Sequence, residues 1–157
     1  METDTASCAL RLSIQAEDFD LQAEQDKITA TGHDIGAVVA FTGLCRDEGG
    51  VLAALELEHY PDMAKVQISQ IARQACKRWP LSALTIIHRF GIIRAGEQIV
   101  LVIAASSHRH AAFEAAGFVM DYLKTDAPFW KKEHRLDNKG NNWVAARQED
   151  QEKRQRW

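Results

Sequence analysis

No stretch of this 157-residue sequence stays apolar for long. The longest runs, Ile35 to Phe41 and Ile99 to Ala105, fall far short of the roughly 20 residues that a bilayer-spanning helix needs. The start, Met1-Glu2-Thr3-Asp4, lacks the basic-then-apolar pattern of a signal peptide, which points to a cytoplasmic protein. Cysteine is scarce: Cys8, Cys45 and Cys76 are odd in number, far apart and in no CxxC or Cys/His cluster. That argues against a zinc site or a disulfide framework and reads as three small, partly buried apolar residues. Repeats, low-complexity tracts and Pro/Gly/Ser linkers are missing too. The expectation is therefore one domain over residues 1–157, with a core at about 8–147 and a polar tail at 148–157. There is no lysine-serine P-loop ending, dinucleotide spacing, nucleophile elbow, triad pattern or close carboxylate pair.

What is present is the balance of a globular protein, 46% apolar and 26% charged. Net charge is −3, yet acidic residues crowd the first third and basic ones the last, from Lys124 to Arg156. A positive face on a mildly acidic chain suits a small anion better than a long polyanion. RNA binding through Lys131 to Arg135 and the basic tail is the rival, weakened by the overall charge and sparse aromatics.

Alternation predicts a strand at Cys8 to Ile14, and short apolar stretches predict further strands at Gly36 to Thr42, Leu52 to Tyr60, Leu84 to His88 and Ile99 to Ala105. The last two would be joined through Gly91 and the Ala95-Gly96 turn. Helices are predicted at Asp18 to Ile28, at Pro61 to Trp79 and from Ser107 to Lys124. The second carries an apolar stripe (Ala64, Ile68, Ile71, Ala75, Trp79) and is stopped by Pro80. For the third, Ser107 is a candidate N-cap; its apolar residues nearly encircle it, so it should be covered on several sides, by this chain or a second copy. Phe129 to Arg135 reads as extended and Asn142 to Ala146 as a last strand. The class is α+β.

Three constellations carry chemistry. Lys124 ends a helix and Lys131 follows Pro128, where the chain must turn; two ammonium groups at one pocket mouth beside Phe129 and Trp130 would depress one pKa and hold an anion or move protons. The alternative is a pair of solvated lysines favouring the helix dipole. Ser106-Ser107-His108-Arg109-His110, at a strand-to-helix junction, suits an anion. His108 and His110 diverge and have no carboxylate or cysteine beside them, so no metal is expected. Phe41-Thr42-Gly43-Leu44-Cys45-Arg46, running into Gly49-Gly50, is either a close-approach loop for phosphate or an ordinary hairpin.

These blocks, in this order, resemble the MoaE family, the large subunit of molybdopterin synthase. They are Gly36-Ala37-Val38-Val39 with Phe41-Thr42-Gly43 and Arg46; Glu58-His59-Tyr60 with Met63-Ala64; His88-Arg89-Phe90-Gly91; Ser107-His108-Arg109 with Ala112-Phe113-Glu114-Ala115; Asp121-Tyr122-Leu123-Lys124; Pro128 to Glu133; and Trp143-Val144. The resemblance implies an α/β hammerhead-type α+β fold and a homodimer within a heterotetramer. It also implies a small ubiquitin-like partner of the MoaD type, bound by its C-terminal Gly-Gly tail. The activity implied is sulfur transfer from that tail's thiocarboxylate to cyclic pyranopterin monophosphate (precursor Z), making the dithiolene of molybdopterin with no cofactor. By matching motif, Lys124 and Lys131 would be catalytic. Arg46, His108, Arg109 and Arg147 would bind substrate, with Phe41 and Met120 lining the site. A non-catalytic scaffold that only binds such a tail is the alternative; nucleic acid and membrane are not expected partners.

Overall fold

The computed structural model describes residues 7–125, 129–137, 142–144, 148–155 and 157. Its elements are β1 (Ala9–Gln15), α1 (Leu21–Thr29), β2 (Ala37–Leu44), β3 (Leu52–His59), α2 (Pro61–Arg78), β4 (Leu81–Arg89), β5 (Gly91–Arg94), β6 (Gln98–Ser106), α3 (Arg109–Thr125), β7 (Phe129–Arg135), β8 (Asn142–Val144) and α4 (Gln148–Gln155). They form two four-stranded sheets, ordered β1-β4-β6-β2 and β5-β3-β7-β8. The α+β class expected from the sequence is the one observed.

In the first sheet β1 runs parallel to β4, and the other pairs are antiparallel. β4 and β6 are its centre and are covered on both faces. That is why they read as near-continuous apolar runs rather than alternating ones. Val100, Val102 and Ala104 point into the main core with Leu84 and Ile86, beneath Ile68 and Ile71 of α2 and Phe118 and Val119 of α3. Leu101, Ile103 and Ala105 point the other way, into a second cluster with Phe19, Ile28 and Ile87. A third cluster of Cys45, Leu52, Leu57 and Ile93 lies at the second sheet.

α2 starts with Pro61 in its first turn, and its buried residues, Ala64, Ile68, Ile71, Ala72 and Ala75, include most of the expected stripe. α1 is capped by Asp20, whose carboxylate accepts from the Ala23 amide at 2.9 Å. α3 is buried by this chain's own β2, β6, α2 and α4.

Four local features differ from expectation. β5 was read as part of a connection, but its four residues pair with β3 as an edge strand. Ser107 does not cap α3: its hydroxyl bonds Asp34 Oδ2 at 3.0 Å. The polar stretch from Gln148 forms a helix packed on α3 instead of a plain tail. Finally, Cys8 and Cys76 are joined as a disulfide with Cα atoms 6.0 Å apart. Spacing could not reveal that pair because it is separated by 68 residues and meets only when β1 lies beside α2. Cys45 alone is free and buried.

Candidate functional site

The site begins with strand pairing. β3 and β7 are antiparallel, with His59 opposite Phe129 and Leu57 opposite Lys131. Opposed residues share a face, so Phe129 and Lys131 project from the same side of β7, and Trp130 from the other. Phe129 lies flat against His88, the two rings 3.8 Å apart and 10° from parallel. His59 leans on both Phe90 (4.5 Å) and Phe129 (5.6 Å). A histidine from each sheet thus grips the first residue of β7, two positions before Lys131.

His88 is buried, and its Nδ1 lies 2.9 Å from the Arg89 carbonyl oxygen. A carbonyl only accepts, so Nδ1 carries the proton and the neutral ring keeps Nε2 as an acceptor. Burial pushes the His88 pKa down to about 4, with the charges of Lys131, His59 and Lys124 pushing the same way. Burial also lowers His59. Both lysines therefore bear on one buried ring: Lys124 from the last turn of α3 and Lys131, half-buried, from β7. Met120, one turn before Lys124, packs partly buried against the main core. Beside this cluster, Glu58, His59, Tyr60 and Trp130 line a recess of about 360 Å³, with the Tyr60 and Trp130 rings edge-on at 4.9 Å.

Arg89, next to His88, is no ligand for an external anion. Its guanidinium is buried and donates to the Ala16 and Gln98 carbonyls at 2.7–3.1 Å. It ties the end of β4 to the connection after β1.

Arg46 is exposed in the loop after β2, beside a recess of about 450 Å³ that it lines with Cys45, Asp47, Glu48, Gly49, Ala95 and Gly96. Asp47 shapes that loop: its carbonyl accepts from Gly50 and Leu52, and its Oδ1 from Gly49. Buried Cys45 has its thiol pKa pushed up by desolvation, the opposite of a reactive thiolate. Phe41 sits mid-way along the edge strand β2, opposite Val102 and 40% exposed.

Topology sorts these residues to two ends. The end of β2 meets the start of β6 (Leu44 opposite Gln98), where β4 also finishes (His88 opposite Val100). Arg46, His88 and the two lysines belong to this end. His108 and Arg109 are exposed beyond the other end of β6, next to the start of β2. From Arg109 to Lys124, α3 rises about 22 Å at roughly 1.5 Å per residue. One chain does not bring the His108–Arg109 pair to the lysines. Arg147 lies outside the described residues. Phe129 was expected beside the lysines, but the part of His59 and His88 in gripping it was missed in the sequence; the only signal was their place at strand ends, two and three residues before Pro61 and Gly91.

The MoaE protein family matches residues 14–126 of this sequence. The chain belongs to the MoaE family. A protein of Brucella melitensis named molybdopterin synthase catalytic subunit is 62% identical over 151 residues, covering 96% of this chain and 93% of its own. One of the same name from Escherichia coli K12 is 46% identical over 143 residues, 90% and 89% of the two chains. Among solved structures, the MoaE protein of Burkholderia ambifaria superposes with a TM-score of 0.79 at 45% identity, over 96% of this chain and 98% of that one. Molybdopterin synthase from Staphylococcus aureus gives 0.76 at 31% identity, over 85% and 96%. MoaE membership makes the chain an enzyme subunit, the catalytic one of molybdopterin synthase, in molybdenum cofactor biosynthesis. No helix among the described residues is long and apolar enough to cross a membrane.

Proposed function

We propose that this chain transfers sulfur from the C-terminal thiocarboxylate of a small ubiquitin-like MoaD-type subunit to precursor Z, with Lys124 and Lys131 as its catalytic residues. The thiocarboxylate sulfur attacks a carbon of the pterin side chain: a carbon–sulfur bond forms, giving an acyl-thioester link, as a carbon–oxygen bond at that carbon breaks and the departing oxygen takes a proton from a lysine ammonium. Water then adds to the acyl carbon, the carbon–sulfur bond on the partner's side breaks, and the partner leaves as a carboxylate. Sulfur stays on the pterin, and a second round completes the dithiolene. Each step develops negative charge that a nearby ammonium stabilises, and each moves a proton that a lysine can carry.

The observation that supports this assignment is that both ammonium charges bear on the ring of His88. Two cations that reach one buried, neutral ring present an anionic substrate with two charged donors at a single point of the site. Arg46, on the same end, is proposed to meet the substrate phosphate, and Phe41 and Met120 to line its apolar surface. His108 and Arg109, with Arg147, are proposed to complete an anion site across a homodimer, since the length of α3 separates them from the lysines of their own chain. The partner tail, the homodimer inside a heterotetramer and a cytoplasmic location complete the proposal.

The test is a sulfur-transfer assay with precursor Z and a thiocarboxylated small subunit. Folded Lys124→Ala and Lys131→Ala proteins should each lose roughly 10²–10⁴-fold in turnover, the usual contribution of a positioned acid or base. Near-normal turnover in either removes that lysine from the chemistry. A wild-type chain that binds the small subunit and yields no sulfur product would be a scaffold.

A further inference from the structure

The last turn of α3, which carries Lys124, is held from outside the site. Trp157 Nε1 donates to Asp121 Oδ2 at 2.6 Å, and Asp121 stands one turn before Lys124. The Trp157 indole meets Phe118 and Trp79 edge-on, at 5.7 and 5.8 Å between centroids. Arg78, the last residue of α2, spreads its guanidinium over the same three rings at 5.0–5.8 Å and donates to the Trp157 carbonyl at 3.2 Å. From α4, Arg154 lies over the Tyr122 ring at 5.6 Å. Within the turn, the Thr125 hydroxyl bonds back to the Asp121 carbonyl at 2.9 Å.

A helix end needs such partners. The final four carbonyls of α3 have no acceptor role inside the helix, and no glycine follows Thr125 to close it in a left-handed cap. An end like this frays readily unless side chains or packing hold it. Lys124 is in this last turn, and besides the core packing of Tyr122 and Leu123, contacts onto the turn come from Trp157 and Arg154.

We infer that Trp157 and Asp121 are positioning residues for Lys124: the indole-to-carboxylate bond, set in the Arg78–Trp79–Phe118 box, fixes the turn from which Lys124 reaches the site. The inference rests on the assignment of Lys124 to the chemistry. Trp157 touches no reacting group, so its loss acts on the rate and leaves recognition alone. Asp121 acts here as an acceptor, and an amide oxygen at that position serves as well.

The experiment compares Trp157→Ala, Trp157→Phe, Asp121→Ala and Asp121→Asn in the full chain, assayed with thiocarboxylated small subunit and precursor Z. Amide exchange over residues 118–125 is read in parallel. Trp157→Ala and Asp121→Ala should lower kcat between roughly 10- and 100-fold, the scale of an ångström-sized misplacement, with KM for precursor Z unchanged. Their amides at 121–125 should exchange faster, while the strands of the first sheet stay protected. Trp157→Phe keeps the box but lacks the donor and should fall between, whereas Asp121→Asn restores most of the rate. Wild-type exchange and kcat in Trp157→Ala would overturn the inference. So would an Asp121→Asn protein as slow as Asp121→Ala, because the carboxylate would then act on the reaction directly. Faster exchange with unchanged kcat would also overturn it. If Lys124→Ala itself retains activity, the assignment of Lys124 has failed, a result separate from the exchange data.

Discussion

Replacing His88 with phenylalanine isolates the energetic cost of burying an ionisable ring between two sheets. The ordinary histidine pKa of 6.5 falls to about 4 here, mainly through burial. Between those values the unfolded chain binds a proton that the folded chain refuses, so stability rises with pH across that window. The contribution is complete above pH 6.5 and is lost progressively as pH falls toward 4. Two and a half units at about 1.36 kcal/mol each give about 3 kcal/mol for the full window, and about 2 kcal/mol of it has gone by pH 5. Phenylalanine preserves a flat ring against Phe129 and takes up no proton. It leaves the Arg89 carbonyl without its donor, at about 1 kcal/mol at every pH. Urea unfolding of both proteins at pH 7.5 and pH 5.0 measures the difference. Wild type should lose about 1 M more in midpoint than the variant over this interval, taking a slope of roughly 2 kcal/mol/M. Lys124 and Lys131, which face the ring, are present in both proteins, and the shifted His59, Asp18 and Glu24 are common to both and cancel. Equal acid-induced losses in the two proteins would refute the neutral, buried His88.

Two further outcomes follow from the packing. Gly36→Ala should cost roughly 1–3 kcal/mol in denaturant unfolding, because a Cβ there would collide with the Ser107 carbonyl; the displacement reaches His108 and Arg109, so KM for precursor Z should rise more than kcat falls. The Cys8–Cys76 bond closes a separation of 68 residues, so reductant should lower wild-type stability by roughly 4 kcal/mol while leaving Cys76→Ser unaffected.

What could be read in advance followed chain-local rules. Pro61 and Pro80 bracket α2, and its stripe repeats at helical spacing, so both its limits and its buried face were legible. β6 was legible because a strand covered on both faces needs a continuous apolar run. β5 escaped because four residues between glycines carry no period and are fixed by β3 alone. α4 escaped for a related reason: its residues are nearly all polar, and what seats it is Trp157 and the surface of α3. At the site, the turn after α3 suggested that Lys124 and Lys131 belong together. That His88 would be the ring beneath them depends on β7 crossing to β4, which no local pattern encodes. The separation of His108 and Arg109 from the lysines was available in the rise of the helix between them, but motif matching ignores distance.

The pairing order of the sheets also decides when this protein can begin to exist. Val39 pairs with Ala104, Leu12 with Ile86, and Leu57 with Lys131. Only β4 and β6 form a pairing between near neighbours in the first sheet. As the chain leaves the ribosome, β1 must wait for β4 and β2 for β6, while β3 meets its edge partner β5 early and its other partner β7 only near the end. Topology of this kind slows folding, since long loops close before their contacts reward them. The β4–β6 ribbon is then the natural nucleus, and its apolar faces are the surface that a nascent chain most needs to keep from other chains.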